Sequence, residues 1–149
     1  MPRYDSDSEI WRFETARFVV TCNVEPEDSD PADHFCDKRD VRFARKGGAA
    51  WFTAVVNVWL KPADPDAPTY AGDPPGTNIA WDYLGCCSYR SWSDFTDSHR
   101  DRDPMNRNCS IMRAKRGPVV ICHYFPGMVT EAARLARTRL AELDLRQAA

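Results

Sequence analysis

Residues 50–60, AWFTAVVNVWL, constrain this fold more than any other stretch of the chain. Phe52, Ala54, Val56, Val58 and Leu60 recur at every second position and are all apolar. Trp51, Thr53, Val55, Asn57 and Trp59 occupy the alternate positions as a mixed set. A period of two sends successive side chains to opposite faces of a strand, so one side of this strand must lie against a core. Its backbone groups need pairing strands, and its apolar side needs a second layer. The bulk of Trp51 and Trp59 predicts partial cover by a helix on the mixed side as well.

Partners for that strand are present. Ala16, Phe18, Val20, Cys22 and Val24 alternate with Arg17, Val19, Thr21 and Asn23, which predicts a half-buried strand. Residues 78–89 predict a third, paired with 50–60 as a hairpin widened by the Pro- and Asp-rich connection 61–76, which is expected to be mobile. Val119 to Tyr124, after Gly117-Pro118, supplies a short fourth strand. The stretch EPEDSDPAD (25–33) reads as a loop, and 100–108 as irregular. Three helices are expected. The first is a basic one from His34 to Lys46, ended by Gly47-Gly48. A short one follows in 91–99, capped by Ser91 with Asp94 three positions on. The longest runs from Pro126 to Leu145, with Val129, Ala132, Ala133, Ala136, Leu140 and Leu143 as its apolar stripe. Strands first and helices gathered toward the C-terminal end predict an α+β two-layer sandwich. Its antiparallel sheet has three to four strands, packed against a long C-terminal helix and two shorter helices. The expected organisation is one domain over 1–149, with residues 1–10 as a flexible N-terminal tail.

Composition supports a single packed core. The chain has 149 residues, 43% of them hydrophobic, with seven Phe, five Trp and five Tyr, enough apolar material for a core without covalent staples. No run approaches the roughly 18 apolar residues of a membrane span. The polar, acidic start lacks the layout of a secretory signal, so the expected address is the cytoplasm and the expected state of the six cysteines (22, 36, 86, 87, 109, 122) is reduced. Charge is segregated although the formal net is only −2: residues 1–35 carry nine acids against three bases, and 89–149 carry eleven bases against seven acids. Such blocks either solvate and pair with one another or polarise the surface toward a charged partner.

No phosphate-cradling glycine loop, dinucleotide fingerprint, nucleophile elbow or H-E-x-x-H helix is present. The nearest metal-ligand set is His34, Cys36, Cys122 and His123, whose spacing departs from zinc knuckles. Buried thiols and a hydrogen-bonded histidine are the plainer reading, and no cofactor is expected. Cys122 and His123, as neighbours in a strand, face opposite ways and are poorly placed to exchange a proton. Cys109 lies in a basic context beside Arg107, where a small residue starting a helical turn is the structural alternative. The run 98–116 is dense in function-bearing side chains. His99, Asp101, Asp103 and Cys109, with His123, would centre a small metal- or thiol-dependent enzyme. Arg100, Arg102 and Arg107 could grip phosphates or carboxylates. As scaffold, the same residues pair with each other and cap turns. Arg113, Lys115 and Arg116, with Arg134 and Arg137, form the basis of a direct nucleic-acid reading, which the net charge opposes. Glu25, Glu27, Asp28 and Asp30 make an acidic contact surface of the opposite character.

The segments LGCCSYRSWSDF (84–95), HRDRDPMNRNCSIMRA (99–114) and VVICHYFPGMVTEA (119–132), with WRFETARFVV and EPEDSDPADHF, resemble a family of small uncharacterised bacterial proteins carried on phages, plasmids and integrated mobile elements. The resemblance spans most of the chain and carries no catalytic residue with it. It implies a non-enzymatic binding protein whose partner is a host or element-encoded protein or nucleoprotein complex. Inhibition of a nucleic-acid-processing defence complex is its sharper form.

Overall fold

A computed structural model describes residues 8–34, 38–45, 50–69, 73–89, 91–97, 109–114, 117–122 and 124–148, the two segments within 109–122 by their backbone. The elements run β1 (Ser8–Glu14), β2 (Phe18–Pro26), a 3-10 turn (Pro31–Asp33), α1 (Lys38–Arg45), β3 (Ala50–Leu60) and β4 (Thr77–Tyr89). They continue with α2 (Trp92–Asp97), β5 (Cys109–Ala114), β6 (Gly117–Cys122) and α3 (Tyr124–Ala148). The first four strands form one antiparallel sheet in the order β1-β2-β3-β4, while β5 and β6 pair separately. The architecture is the expected α+β two-layer one, and its fourth strand comes from a different place. Residues 119–124 do not join the main sheet: 117–122 pairs with 109–114, and Tyr124 already belongs to α3. Ser8, Glu9 and Ile10, expected in a tail, begin the strand that takes that position.

β2 starts two residues later than its alternation suggests, because Thr15, Ala16 and Arg17 turn the chain. The Thr15 amide donates to the Phe18 carbonyl at 2.9 Å, and the Phe18 amide donates to Thr15 Oγ1 at 3.0 Å. β2 also runs on through Glu25 and Pro26, which pair with Thr53 and Phe52. Gly76 closes the connection from β3 to β4 at φ +118°, where a Cβ would stand 2.0 Å from the Leu60 carbonyl oxygen, so only glycine fits. Cys109 sits in β5 and not at the start of a helical turn.

The core lies on one face of the sheet. Cys22 and Val24 of β2, Phe52, Ala54, Val56 and Val58 of β3, and Ala80 and Cys87 of β4 are buried there, beneath α2 and α3. Phe95 of α2 is fully buried and meets three rings edge-on or nearly so: Phe52 at 5.4 Å, Tyr89 at 5.0 Å and Phe125 at 5.6 Å between centroids. Trp11 of β1 reaches Phe125 at 5.1 Å. Edge-to-face pairs of this kind add to the area they bury. Ser91 caps α2 as expected, its Oγ accepting from the Asp94 amide at 3.1 Å. The buried stripe of α3 is Phe125, Met128, Ala132 and Ala136. Val129 and Ala133 flank it half-buried, so the expected stripe is rotated by about one position.

Candidate functional site

The other face of the sheet can be read row by row from the strand register. Directly paired residues share a face, and the core face holds Cys22, Val56 and their neighbours. The opposite face therefore carries Glu14, Val19, Trp59 and Asn78 in one row, then Arg12, Thr21, Asn57 and Trp81, then Glu9, Asn23, Val55 and Tyr83. Glu25 and Thr53 continue it toward Gly85. α2 and α3 lie across the sheet from these rows, so Trp59 and Trp51 receive no cover from them. Trp51 instead packs against the acidic loop, its Nε1 donating to the Ser29 carbonyl at 2.9 Å and its ring 6.1 Å from that of His34.

Trp81 and Tyr83 stand two residues apart on β4 and are each 59% exposed. A chain that buries Phe52 and Phe95 almost completely leaves these two rings in solvent. Beside them, Asn78 Nδ2 donates to Asn57 Oδ1 at 2.8 Å, a side-chain pair across the strands. Toward β1 the rows are sealed by charge. Arg12 donates to both oxygens of Glu9 at 2.8 Å and to Glu14 at 3.2 Å, while Lys61 Nζ lies 3.1 Å from Glu14. Lys61 first and Arg12 second hold the Glu14 carboxyl below its usual range. Val19 and Thr21, between this ladder and Trp59, are almost wholly buried. Among the described residues the buried side-chain polar atoms lacking a hydrogen-bond partner are Thr21 Oγ1 and Trp59 Nε1, and both belong to this face.

At the far end the acidic loop is knitted into the fold. Glu27, half-buried, accepts from Thr53 Oγ1 at 2.8 Å and from Ser29 Oγ at 2.9 Å. Asp30 accepts from the Ala32 amide at 2.9 Å, capping the 3-10 turn, and takes a two-pronged contact from Arg45 of α1, at 2.8 Å to each oxygen. That backbone bond, and then Arg45, hold the Asp30 carboxyl below its ordinary range. Glu25 pairs with Thr53 in register, and Asp28 is exposed. Of the expected acidic contact residues, Glu27 and Asp30 are thus held by hydrogen bonds within and around the loop. The carboxylate of Glu27 faces Gly85: a Cβ built there would lie 3.7 Å from Glu27 Oε2, and 3.6 Å from the Tyr83 hydroxyl.

His99, Arg100, Asp101, Arg102, Asp103, Arg107, Lys115, Arg116, His123 and Cys36 lie outside the described residues. Arg113 is placed by its backbone opposite Pro118, and Cys109 opposite Cys122, in the β5–β6 pair. His34 is exposed, and among the described residues no three His, Cys, Asp or Glu side chains converge as a metal-binding group. Two of the four arginines of α3 are paired locally. Arg134 binds both oxygens of Glu131, at 2.6 and 2.9 Å, and Arg139 reaches Glu142 at 3.2 Å. Among the described residues no helix is long and apolar enough to cross a membrane. Comparison with protein-family models, with curated proteins and with solved structures returned no match for the chain.

Trp81 and Tyr83 were not singled out by sequence reasoning. Ile79, Trp81 and Tyr83 alternate with Ala80, Asp82 and Leu84, and by apolar bulk the first set reads as the inner face. Pairing with β3 decides otherwise, setting Trp81 opposite Asn57 and Tyr83 opposite Val55. Asp82 is the signal that sequence offers: it faces Val56 on the helix side of an edge strand. Inward charge and the two irregularities of β4 both discourage pairing of another strand along that edge.

Proposed function

We propose that this protein is a non-enzymatic binding protein of a mobile genetic element, acting in the cytoplasm on a host or element-encoded protein or nucleoprotein complex. Its contact surface is the face of the sheet opposite α2 and α3. The observation that carries this reading is the pair Trp81 and Tyr83, each 59% exposed and adjacent on one face of β4. Exposed aromatic side chains on a rigid strand are strong anchors for a partner, since large rings bury much area at little entropic cost. Isolated apolar residues on a surface are ordinary, but here two rings adjoin Val55 and Trp59 in consecutive rows. The mobile-element context rests on the resemblance carried by 84–95, 99–114 and 119–132. Inhibition of a nucleic-acid-processing defence complex is the most specific form of the proposal. Direct nucleic-acid binding through Arg134 and Arg137 is the weaker reading, since Arg134 is paired with Glu131 and the formal net charge is −2.

Affinity capture from cell lysate at physiological salt tests the proposal, comparing the wild-type chain with the Trp81→Ala/Tyr83→Ala double variant. Both fold, and the wild type alone retains a defined protein or nucleoprotein partner. A double variant that retains the same partner equally well, or a wild type that retains none, overturns it.

A further inference from the structure

We infer that β1 is a self-pairing edge, which joins the sheets of two copies of this chain antiparallel about a two-fold axis at Phe13. Among the described residues no strand pairs with the outer side of β1. The hairpin turn fixes which backbone groups are left there. The Thr15 amide donates to the Phe18 carbonyl at 2.9 Å, so the alternation of an antiparallel ladder gives Phe13 and Trp11 the bonds to Val20 and Cys22. Arg12 and Glu14 then direct their N–H and C=O groups away from β2, as an open template for another strand. The two edges of the sheet differ. β4 carries Asp82 inward and two irregularities, whereas β1 is regular from Trp11 to Glu14 and turns rings inward. Phe13 is 55% exposed although it sits on the core face opposite Val20, stacked on Trp11 at 6.4 Å between centroids. α3 packs mainly over β4 and β3, at the other side of the sheet.

The occupant follows from the order of side chains along β1. With Phe13 opposite Phe13 of a second copy, Arg12 pairs with the second copy's Glu14, and Glu14 with its Arg12. Those are the residues whose backbone groups point outward, so each such pair exchanges both ladder bonds. The Phe13 pair is then a non-hydrogen-bonded one, with Cα atoms about 4.5 Å apart and the rings in contact beside Trp11 of each copy. Sliding the copies by one pleat period either way sets Arg12 against Arg12 or Glu14 against Glu14. Like charges directly opposite destabilise a strand pair, so one register is selected. Arg12 stays bonded to its own Glu9 and Glu14, and Glu14 to Lys61; the register asks only that opposite charges stand side by side. A strand complementary to itself in charge and ring position forms an isologous contact. Trp81 and Tyr83 lie on β4, at the far edge, so self-pairing leaves them open to a different partner.

Sedimentation equilibrium of the full chain, over roughly a hundredfold range of concentration, tests the inference. The wild type passes from one copy to two as concentration rises. Arg12→Glu alone, and Glu14→Arg alone, each weaken self-association about tenfold or more, because both symmetry-related pairs become like-charged. Mixing the two variants restores a pair containing one chain of each, since two acids then face two bases; loss of folding would not be rescued in this way. Phe13→Lys sets ammonium groups against each other at the two-fold axis and leaves the chain single. Melting of each variant stays close to that of the wild type, because exposed ion pairs contribute little to folding. Hydrogen exchange reads the register directly: the Arg12 and Glu14 amides slow as concentration rises, while the Phe13 amide, bonded within the hairpin, is slow throughout. A wild type that stays single at every concentration overturns the inference. So does a mixture that fails to associate, or a pair that survives Phe13→Lys and is lost in Trp81→Ala/Tyr83→Ala. None of these results bears on capture of a partner by Trp81 and Tyr83, so the two proposals fall separately.

Discussion

Replacing Phe95 by alanine removes the ring at the centre of the core, and the cost can be worked from its surroundings. Phe95 is fully buried and contacts Phe52, Tyr89 and Phe125 at centroid separations of 5.4, 5.0 and 5.6 Å. Truncating a buried phenylalanine costs about 3–5 kcal/mol, the sum of lost transfer energy and the cavity left behind. Three ring pairs with edge-on character place this site toward the upper end of that range. Against a total stability of about 5–15 kcal/mol, the variant retains its fold with a much reduced margin. The melting temperature falls by about 6–20 °C, taking roughly 2–4 °C per kcal/mol for a domain of this size. Urea unfolding followed by circular dichroism measures the loss, and Trp81→Ala serves as the paired control. With more than half of its surface already in water, Trp81 contributes little to folding, and its removal costs within about 1 kcal/mol. A Phe95→Ala loss below about 1.5 kcal/mol, or a Trp81→Ala loss equal to it, would refute the assignment of core and open faces.

Three further outcomes follow from particular contacts. Gly76→Ala forces a side chain into φ +118° and against the Leu60 carbonyl oxygen, so it lowers stability by at least about 1–3 kcal/mol, measured by thermal melting. Ser91→Ala removes the acceptor for the Asp94 amide and costs about 1 kcal/mol, read from the same melts. Burial, with Cys87 nearby, pushes the Cys22 thiol up to about 12. Native protein therefore leaves Cys22 and Cys87 unmodified by a thiol reagent at neutral pH, and both react once urea unfolds the chain. Because the folded thiol binds its proton more tightly than the unfolded one, this contribution is fully present below the ordinary thiol range. It is lost as pH rises from there toward 12, so alkaline melts decline over that window and a Cys22→Ala variant declines less.

What could be read from sequence divides along local and non-local lines. β3 was legible because its five inward positions are uniformly apolar, and its burial follows that alternation. Ser91 and Pro126 announced two helix starts through local chemistry. β1 was not legible, because its pairing with β2 shifts register between Glu9 and Trp11. The shift brings Trp11 and Phe13 onto the face of Cys22 and Val20 and breaks the period a reader would follow. The turn at Thr15 to Phe18 hid the same strand by lying inside an apparently continuous alternation. The contact surface was half legible. The acidic loop was visible as composition, and the anchoring of Glu27 by Thr53 depends on contact across 26 positions. Trp81 and Tyr83 could be placed outside only once Asn57 and Val55 were known to lie opposite them.

The account depends on the sheet face opposite α2 and α3 being the one a partner covers. Hydroxyl-radical footprinting of the free chain and of its captured complex tests that directly. Trp81 and Tyr83 are expected to oxidise rapidly in the free protein and to be protected in the complex, with Phe95 and Phe125 slow in both. Unchanged oxidation of Trp81 and Tyr83, with protection appearing instead along the outer side of α3, would contradict it.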